Sequence, residues 1–279
     1  VVPAPPTAPG VDWGTLQTSA VAWLTNSATP TAGKVDGLVI ENCTFTKTPG
    51  TNNLILGTGV GSPSPTSPLS NNVVIRSCLF TDSGFNTSDY TAIYGYAERM
   101  LVERCKFVVA ASRDNPMTGI AVEVHGAFST VRDCEVFGLS MGILICDNYV
   151  ATVYDISVYG NYIEAFTCPI GFFRIANLAV PTSLSGIAIY DNLIRLISGI
   201  SLNNLAYGIG MYTVDRTVSN IQIFNNSITN FKGNSVNVTG IFCGSYNPLE
   251  SYIVDRLSVE NNSVNSFTTG IEFYIGTGG

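Results

Sequence analysis

Ile189-Tyr190-Asp191-Asn192-Leu193-Ile194 and Ile223-Phe224-Asn225-Asn226-Ser227-Ile228 carry one pattern. An apolar strand ends in a polar pair, the second of the pair is Asn, and an apolar residue follows two positions later. Working outward, the pattern returns at Val158-Tyr159-Gly160-Asn161-Tyr162-Ile163 and at Val259-Glu260-Asn261-Asn262-Ser263-Val264. In the first half of the chain Cys takes the Asn position, as in Val39-Ile40-Glu41-Asn42-Cys43-Thr44-Phe45 and Val74-Ile75-Arg76-Ser77-Cys78-Leu79-Phe80. Leu101-Val102-Glu103-Arg104-Cys105-Lys106-Phe107 and Val131-Arg132-Asp133-Cys134-Glu135-Val136 complete the set.

The anchors are therefore Cys43, Cys78, Cys105, Cys134, Asn161, Asn192, Asn226 and Asn262, separated by 27 to 36 residues. A strand motif that stays fixed while its spacing varies suits stacked coils whose turns carry insertions. A second strand follows most anchors, marked by a small residue before an apolar one. The markers are Ala92-Ile93, Gly119-Ile120, Gly142-Ile143, Pro169-Ile170, Gly199-Ile200, Gly240-Ile241 and Gly270-Ile271. Helical periodicity is nearly absent, and β-branched and aromatic residues fill the runs. The expected fold is all-β: a single-stranded, right-handed parallel β-helix, or solenoid, of about eight coils. Asn stacked at coil spacing forms an amide ladder, can adopt left-handed dihedrals, and satisfies turn backbone groups. Cys fits the same slot as a small hydrophobe, so the column is structural and its thiols are expected to be reduced.

Two end regions stand apart. Residues 1–34 are expected to form a Pro-rich neck and an N-terminal capping helix, and 35–279 the β-helix. In the first, Trp13, Leu16, Ala20, Trp23 and Leu24 recur at helical spacing behind Asp12, which predicts a helix over 12–25. The ending Gly276-Thr277-Gly278-Gly279 carries no capping pattern, which suggests a piece of a longer fibre. No charged segment leads into an apolar one at the start, so no secretory leader is expected in the sequence as given.

Composition limits the partners. Of 279 residues, 46% are hydrophobic and 12% charged, enough apolar material for a large core. Apolar runs stay far below the roughly 18 residues of a membrane-spanning helix. A net charge of -7 and a pI near 4.6 argue against nucleic-acid backbones and anionic membranes. The seven cysteines include no C-x-x-C pair, and His125 is the sole histidine, so neither a metal site nor a cofactor is expected.

The repeat of strand, Asn or Cys turn and Gly-Ile strand resembles the pectate-lyase-like β-helix superfamily, over roughly residues 35–275. That superfamily includes pectate lyases, polygalacturonases and bacteriophage tailspikes. Polygalacturonases resembling this chain would carry an Asp-Asp pair and an Arg-Ile-Lys, which are missing here. Val124-His125-Gly126 matches their Gly-His-Gly only in part, and no calcium carboxylate cluster of the pectate-lyase kind is legible. The resemblance thus implies a tailspike or other surface-fibre module on a virion or cell exterior. It would bind polysaccharide and assemble as a homotrimer.

Strand alternation, counted from the markers, predicts which side chains face outward. The count brings Glu98, Glu123 and His125 together, with Tyr94 and Tyr96 one coil away. Two carboxylates so placed stand at a separation suited to an inverting glycosidase. Glu98, Glu123 and His125 are the catalytic candidates. Tyr94, Tyr96, Asp147, Phe173 and Arg174 are the candidates for substrate contact, Asp147 and Arg174 as a cross-coil pair. Two functions stay open: a binding module of a virion or surface fibre, and a polysaccharide depolymerase, hydrolase or lyase, working through the carboxylate pair. The bland reading of Glu98 beside His125 is a cross-coil ion pair on a solvated face.

Overall fold

The computed structural model describes residues 19–25, 36–46, 52–58, 70–81, 90–109, 119–146, 152–173, 183–197, 206–212, 216–231, 238–244 and 252–274. Every regular element among them is a β-strand, and every strand pair is parallel. One sheet stacks eight strands in chain order: Val39–Glu41, Val74–Arg76, Leu101–Glu103, Thr130–Arg132, Thr152–Tyr159, Ser183–Tyr190, Arg216–Phe224 and Tyr252–Glu260. We call it the leading sheet. Each of its strands ends at an anchor, and the chain turns there into a second, 15-stranded sheet. Glu135–Cys146 and Tyr162–Phe173 are long enough to run through both halves of that sheet and join them. The chain is a parallel β-solenoid.

The anchor turn has one geometry at all eight anchors. The residue before the anchor is left-handed: Asn42, Ser77, Arg104, Asp133, Gly160, Asp191, Asn225 and Asn261 all have φ between 51° and 66°. The left-handed kink therefore belongs to the neighbour of the anchor, where the sequence supplies mostly Asn, Asp and Gly, the types that tolerate it. The anchor itself points inward and meets the next coil. Asn161 Nδ2 donates to Asn192 Oδ1 at 3.0 Å, Asn192 to Asn226 at 2.9 Å, and Asn226 to Asn262 at 2.9 Å. The same oxygens accept the backbone N–H of the preceding anchor, beginning with Cys134 N to Asn161 Oδ1 at 3.0 Å. The expected Cys and Asn column is thus continuous, and none of its cysteines is in a disulfide.

Either side of the turn the interior is apolar and stacked. Ile75, Val102, Val131, Val158, Ile189 and Ile223 fill one column, and Phe45, Phe80 and Phe107 stack at 4.8 Å in the next. Burying each such side chain contributes about 1.5–3 kcal/mol, which explains why the strand motif varies so little.

Two expectations need correction. Six anchors, Cys78 to Asn226, are buried and bound five fully enclosed turns, against the eight coils expected; Cys43 is exposed and Asn262 partly so. The end rungs are open because each has a coil on one side only. The helix expected over 12–25 gives way to a strand, Ser19–Thr25, paired in parallel with Asn52–Thr58. Val21, Trp23 and Thr25 also alternate, and pairing to a neighbouring coil favours that two-residue period over the helical one. Residues 12–18, the neck at 1–10 and the boundary at 34 and 35 lie outside the described residues.

Candidate functional site

The second-half strands of the large sheet carry the site, and their register locates it. Ile93, Val122, Ile143, Ile170, Ile209, Ile241 and Ile271 are mutual neighbours from coil to coil. The small residues before them are Ala92, Ala121, Gly142, Pro169, Gly208, Gly240 and Gly270. Ala121 and Gly208 therefore take the places that sequence counting assigned to Gly119 and Gly199. Close approach demands the small type: a Cβ on Gly142 would come within 2.5 Å of the Pro169 carbonyl, and one on Gly240 within 2.2 Å of Val264.

On Gly119–Val124, Val122 and Val124 belong to the continuous core, so Glu123 stands on the outer face, and His125 beyond it. Ile120, Leu144 and Cys146 form a separate apolar cluster on that face. The register sets Glu123 beside Tyr94 and His125 beside Tyr96, two residues away from the alignment that paired His125 with Glu98.

A tight polar cluster results. His125 Nε2 lies 2.9 Å from Glu123 Oε2, and the Thr91 hydroxyl donates to the other carboxylate oxygen. The Tyr96 ring lies flat on the imidazole, centroids 4.2 Å apart and planes 11° off parallel, and the Tyr94 ring leans on it at 5.0 Å. The two tyrosine hydroxyls share a hydrogen bond of 3.1 Å. His125 is 0% exposed and Glu123 5%, an unusual degree of burial for groups on an outer face. Burial, with Tyr94 alongside, pushes the Tyr96 phenol well above its ordinary range, so it stays protonated. Cys146, on the next coil, completes the group. Its Sγ, a His125 nitrogen and a Glu123 oxygen all lie within 4.8 Å of one another.

Of the sequence-derived candidates, Glu123, His125, Tyr94 and Tyr96 meet. Glu98 does not join them: it sits on Ala97–Glu98, paired with Ser70–Asn71, half exposed, with Arg99 at 4.0 Å. The backbone of Phe173 continues the Cys146 row toward Tyr212, while Asp147 and Arg174 lie outside the described residues. Thr91 and Cys146 escaped notice as site residues. Nothing in the sequence marks Thr91, and Cys146 has no second cysteine at a metal-ligand spacing to single it out.

The outer face of the leading sheet holds a second feature that counting had left aside. Glu41, Arg76, Glu103, Arg132, Tyr159, Tyr190, Phe224 and Glu260 occupy one outward row, coil after coil. Its first half is a charge ladder, with Arg76 on Glu41 and Arg132 on Glu103, each at 2.5 Å. Beyond it, Tyr159, Tyr190 and Phe224 stack at 4.8 Å and are half-buried, and Glu260 ends the row. Around the anchor corner, Arg195 lies over Tyr162 and the exposed Phe231 and pairs with Glu164 at 3.2 Å.

No protein-family model matches the chain, and no curated protein sequence does. Solved structures do match. The chain is similar to the tailspike protein of E. coli bacteriophage HK620 in complex with a pentasaccharide, at 14% identity and a TM-score of 0.60, covering 91% of this chain and 42% of that one. A variant of the same tailspike in complex with a hexasaccharide is similar at 15% identity and a TM-score of 0.56, covering 86% and 41%. The chain spans less than half the length of these tailspikes. Identities this low establish the shared solenoid fold alone.

Proposed function

We propose that this chain is the polysaccharide-binding solenoid of a tailspike-like fibre, exposed on a virion or outside a cell and assembled as a homotrimer. The observation that carries the reading is the outward row that includes Tyr159, Tyr190 and Phe224, on a fold like that of oligosaccharide-bound tailspikes. Stacked on one another, the rings turn apolar edges and the Tyr159 and Tyr190 hydroxyls outward along the row, and the adjoining Arg132–Glu103 pair offers further donors and acceptors to sugar hydroxyls. The net charge of -7 favours neutral or weakly charged glycans. A fibre of three chains suits a solenoid, whose long walls pack side by side, and the exposed Leu193 and Phe231 give one wall apolar contacts.

Cleavage is the second reading, favoured by the one carboxylate and the histidine that do touch, Glu123 and His125. Their burial places them out of reach of a polymer in this arrangement, so binding without cleavage is the primary reading.

An array of bacterial surface polysaccharides tests both. The parent should retain one glycan class, and Tyr190→Ala should bind it about tenfold more weakly, a loss of about 1.4 kcal/mol. Equal binding by parent and variant removes the leading-sheet face from consideration. New reducing ends or unsaturated products, lost in Glu123→Gln, would convert the reading to a depolymerase. Sedimentation of the parent as a monomer at high micromolar concentration would remove the trimer.

A further inference from the structure

The geometry points to a zinc site built from Glu123, His125 and Cys146, joining two consecutive coils of the solenoid. It is independent of the glycan reading.

The first ground is proximity. One donor atom from each residue lies within 4.8 Å of the other two. Zinc bonds of about 2.0–2.3 Å at tetrahedral angles set donor atoms roughly 3.3–3.8 Å apart. The Glu123–His125 pair already approaches that at 2.9 Å, so a side-chain adjustment of about 1 Å at Cys146 closes the set.

The second ground is what the burial leaves unmet. His125 is wholly buried, yet its Nδ1 has no hydrogen-bond partner. The ring's single polar contact among the described residues is Nε2 to Glu123, so Nε2 is the nitrogen that would bind the ion, with the ring proton carried on Nδ1. Glu123 is met by Thr91 and His125, and by no lysine or arginine among the described residues. A carboxylate out of water needs a compensating charge, and a divalent cation between it and a thiolate gives a neutral group.

The donor set selects the metal. Thiolate, imidazole and carboxylate together suit zinc and exclude the oxygen-only preference of magnesium and calcium. On binding, the Cys146 thiol gives its proton to solvent as the S–Zn bond forms, and a water completes four-coordination. Thr91 on the free carboxylate oxygen and Tyr96 flat on the imidazole hold two of the ligands in orientation. With Glu123 and His125 on one coil and Cys146 on the next, the ion would clip the large sheet across its strands.

The reduced, metal-stripped chain, titrated with Zn2+ and separately with Co2+, provides the test. The parent should bind one Zn2+ per chain, melt at a higher temperature with it, and develop thiolate-to-metal absorption with Co2+. Cys146→Ser should abolish that absorption and weaken Zn2+ at least tenfold, and His125→Gln should weaken it similarly. Cys168→Ser, at another buried cysteine, should leave both unchanged. Cys146→Ser is nearly isosteric, so an unchanged metal-free melting temperature separates ligation from folding. Absence of saturable binding by the parent, or Co2+ absorption that survives Cys146→Ser, overturns the site. So does an equal loss in Cys168→Ser.

Discussion

The two halves of the anchor column fill one slot by different chemistry. From Asn161 to Asn226 each anchor is bound to the next coil through two hydrogen bonds near 3 Å, from its backbone N–H and its Nδ2, and Nδ2 also reaches a carbonyl of the coil before, as Asn192 does to Val158 at 3.0 Å. From Cys78 to Cys134 the thiols reach the carbonyls of the preceding coil only at 3.6–3.8 Å, long contacts to Ile40, Ile75 and Val102. What the turn requires in both halves is a left-handed residue followed by a small inward side chain. The Asn half adds short directional bonds between coils, and the Cys half relies on packing with longer, weaker thiol contacts.

That contrast makes the Asn half the more sensitive to substitution. Asn192→Leu or Asn226→Leu should lower stability by about 1–3 kcal/mol, because both the flanking amide and a backbone N–H lose buried partners. Chemical denaturation measures it, and values near zero for both would erase the distinction between the halves. Asn161→Cys, which extends the thiol half by one coil, should cost about 1 kcal/mol, since Cys134 N loses its acceptor. Asn265→Ala, exposed and outside the column, should stay within about 0.5 kcal/mol of the parent.

The Cys half should reveal itself at high pH instead. The hydrogen bond with Cys134 and burial push the Cys105 thiol up to about 12, and burial alone does the same for Cys243. A folded pKa above the unfolded one stabilises the fold below pH 9, and that contribution is lost as pH rises toward 12. Alkaline unfolding curves should therefore shift to higher pH in Cys105→Ala, provided its neutral-pH stability is accounted for. At neutral pH the buried thiols should resist alkylation while exposed Cys43 reacts. Rapid modification of Cys105 in the folded chain would break the assignment.

The sequence made the anchor column legible because the turn is a local demand: a kink-tolerant residue, then a small or amide side chain, then an apolar one. The second strand was harder. Ala121-Val122 and Gly208-Ile209 hold their places through pairing with neighbouring coils, and Gly119-Ile120 and Gly199-Ile200 mimic them nearby. Insertions between anchor and strand leave no local mark of register, so counting slipped by two residues and put Glu98 beside His125. Glu123 and His125 were legible because they lie two residues apart at the end of one strand, on its outer face. Cys146 was hidden because its relevance comes from the next coil, and Trp23 misled because a short apolar stretch fits both helical and strand periods.

The ladder also determines how such a chain can change length. Asn192 offers Asn161 the same oxygen, at the same 3.0 Å, that Asn161 offers Cys134. Excising one 31-residue interval would therefore bring Cys134 onto Asn192 with no new turn to solve. Duplicating it would add a rung equally well matched on both sides. Insertions and deletions that respect whole rungs are nearly free of structural conflict, whereas a loss of a few residues inside a rung breaks the register of every strand beside it. Length in this molecule is quantised, and the asparagine column is the ruler.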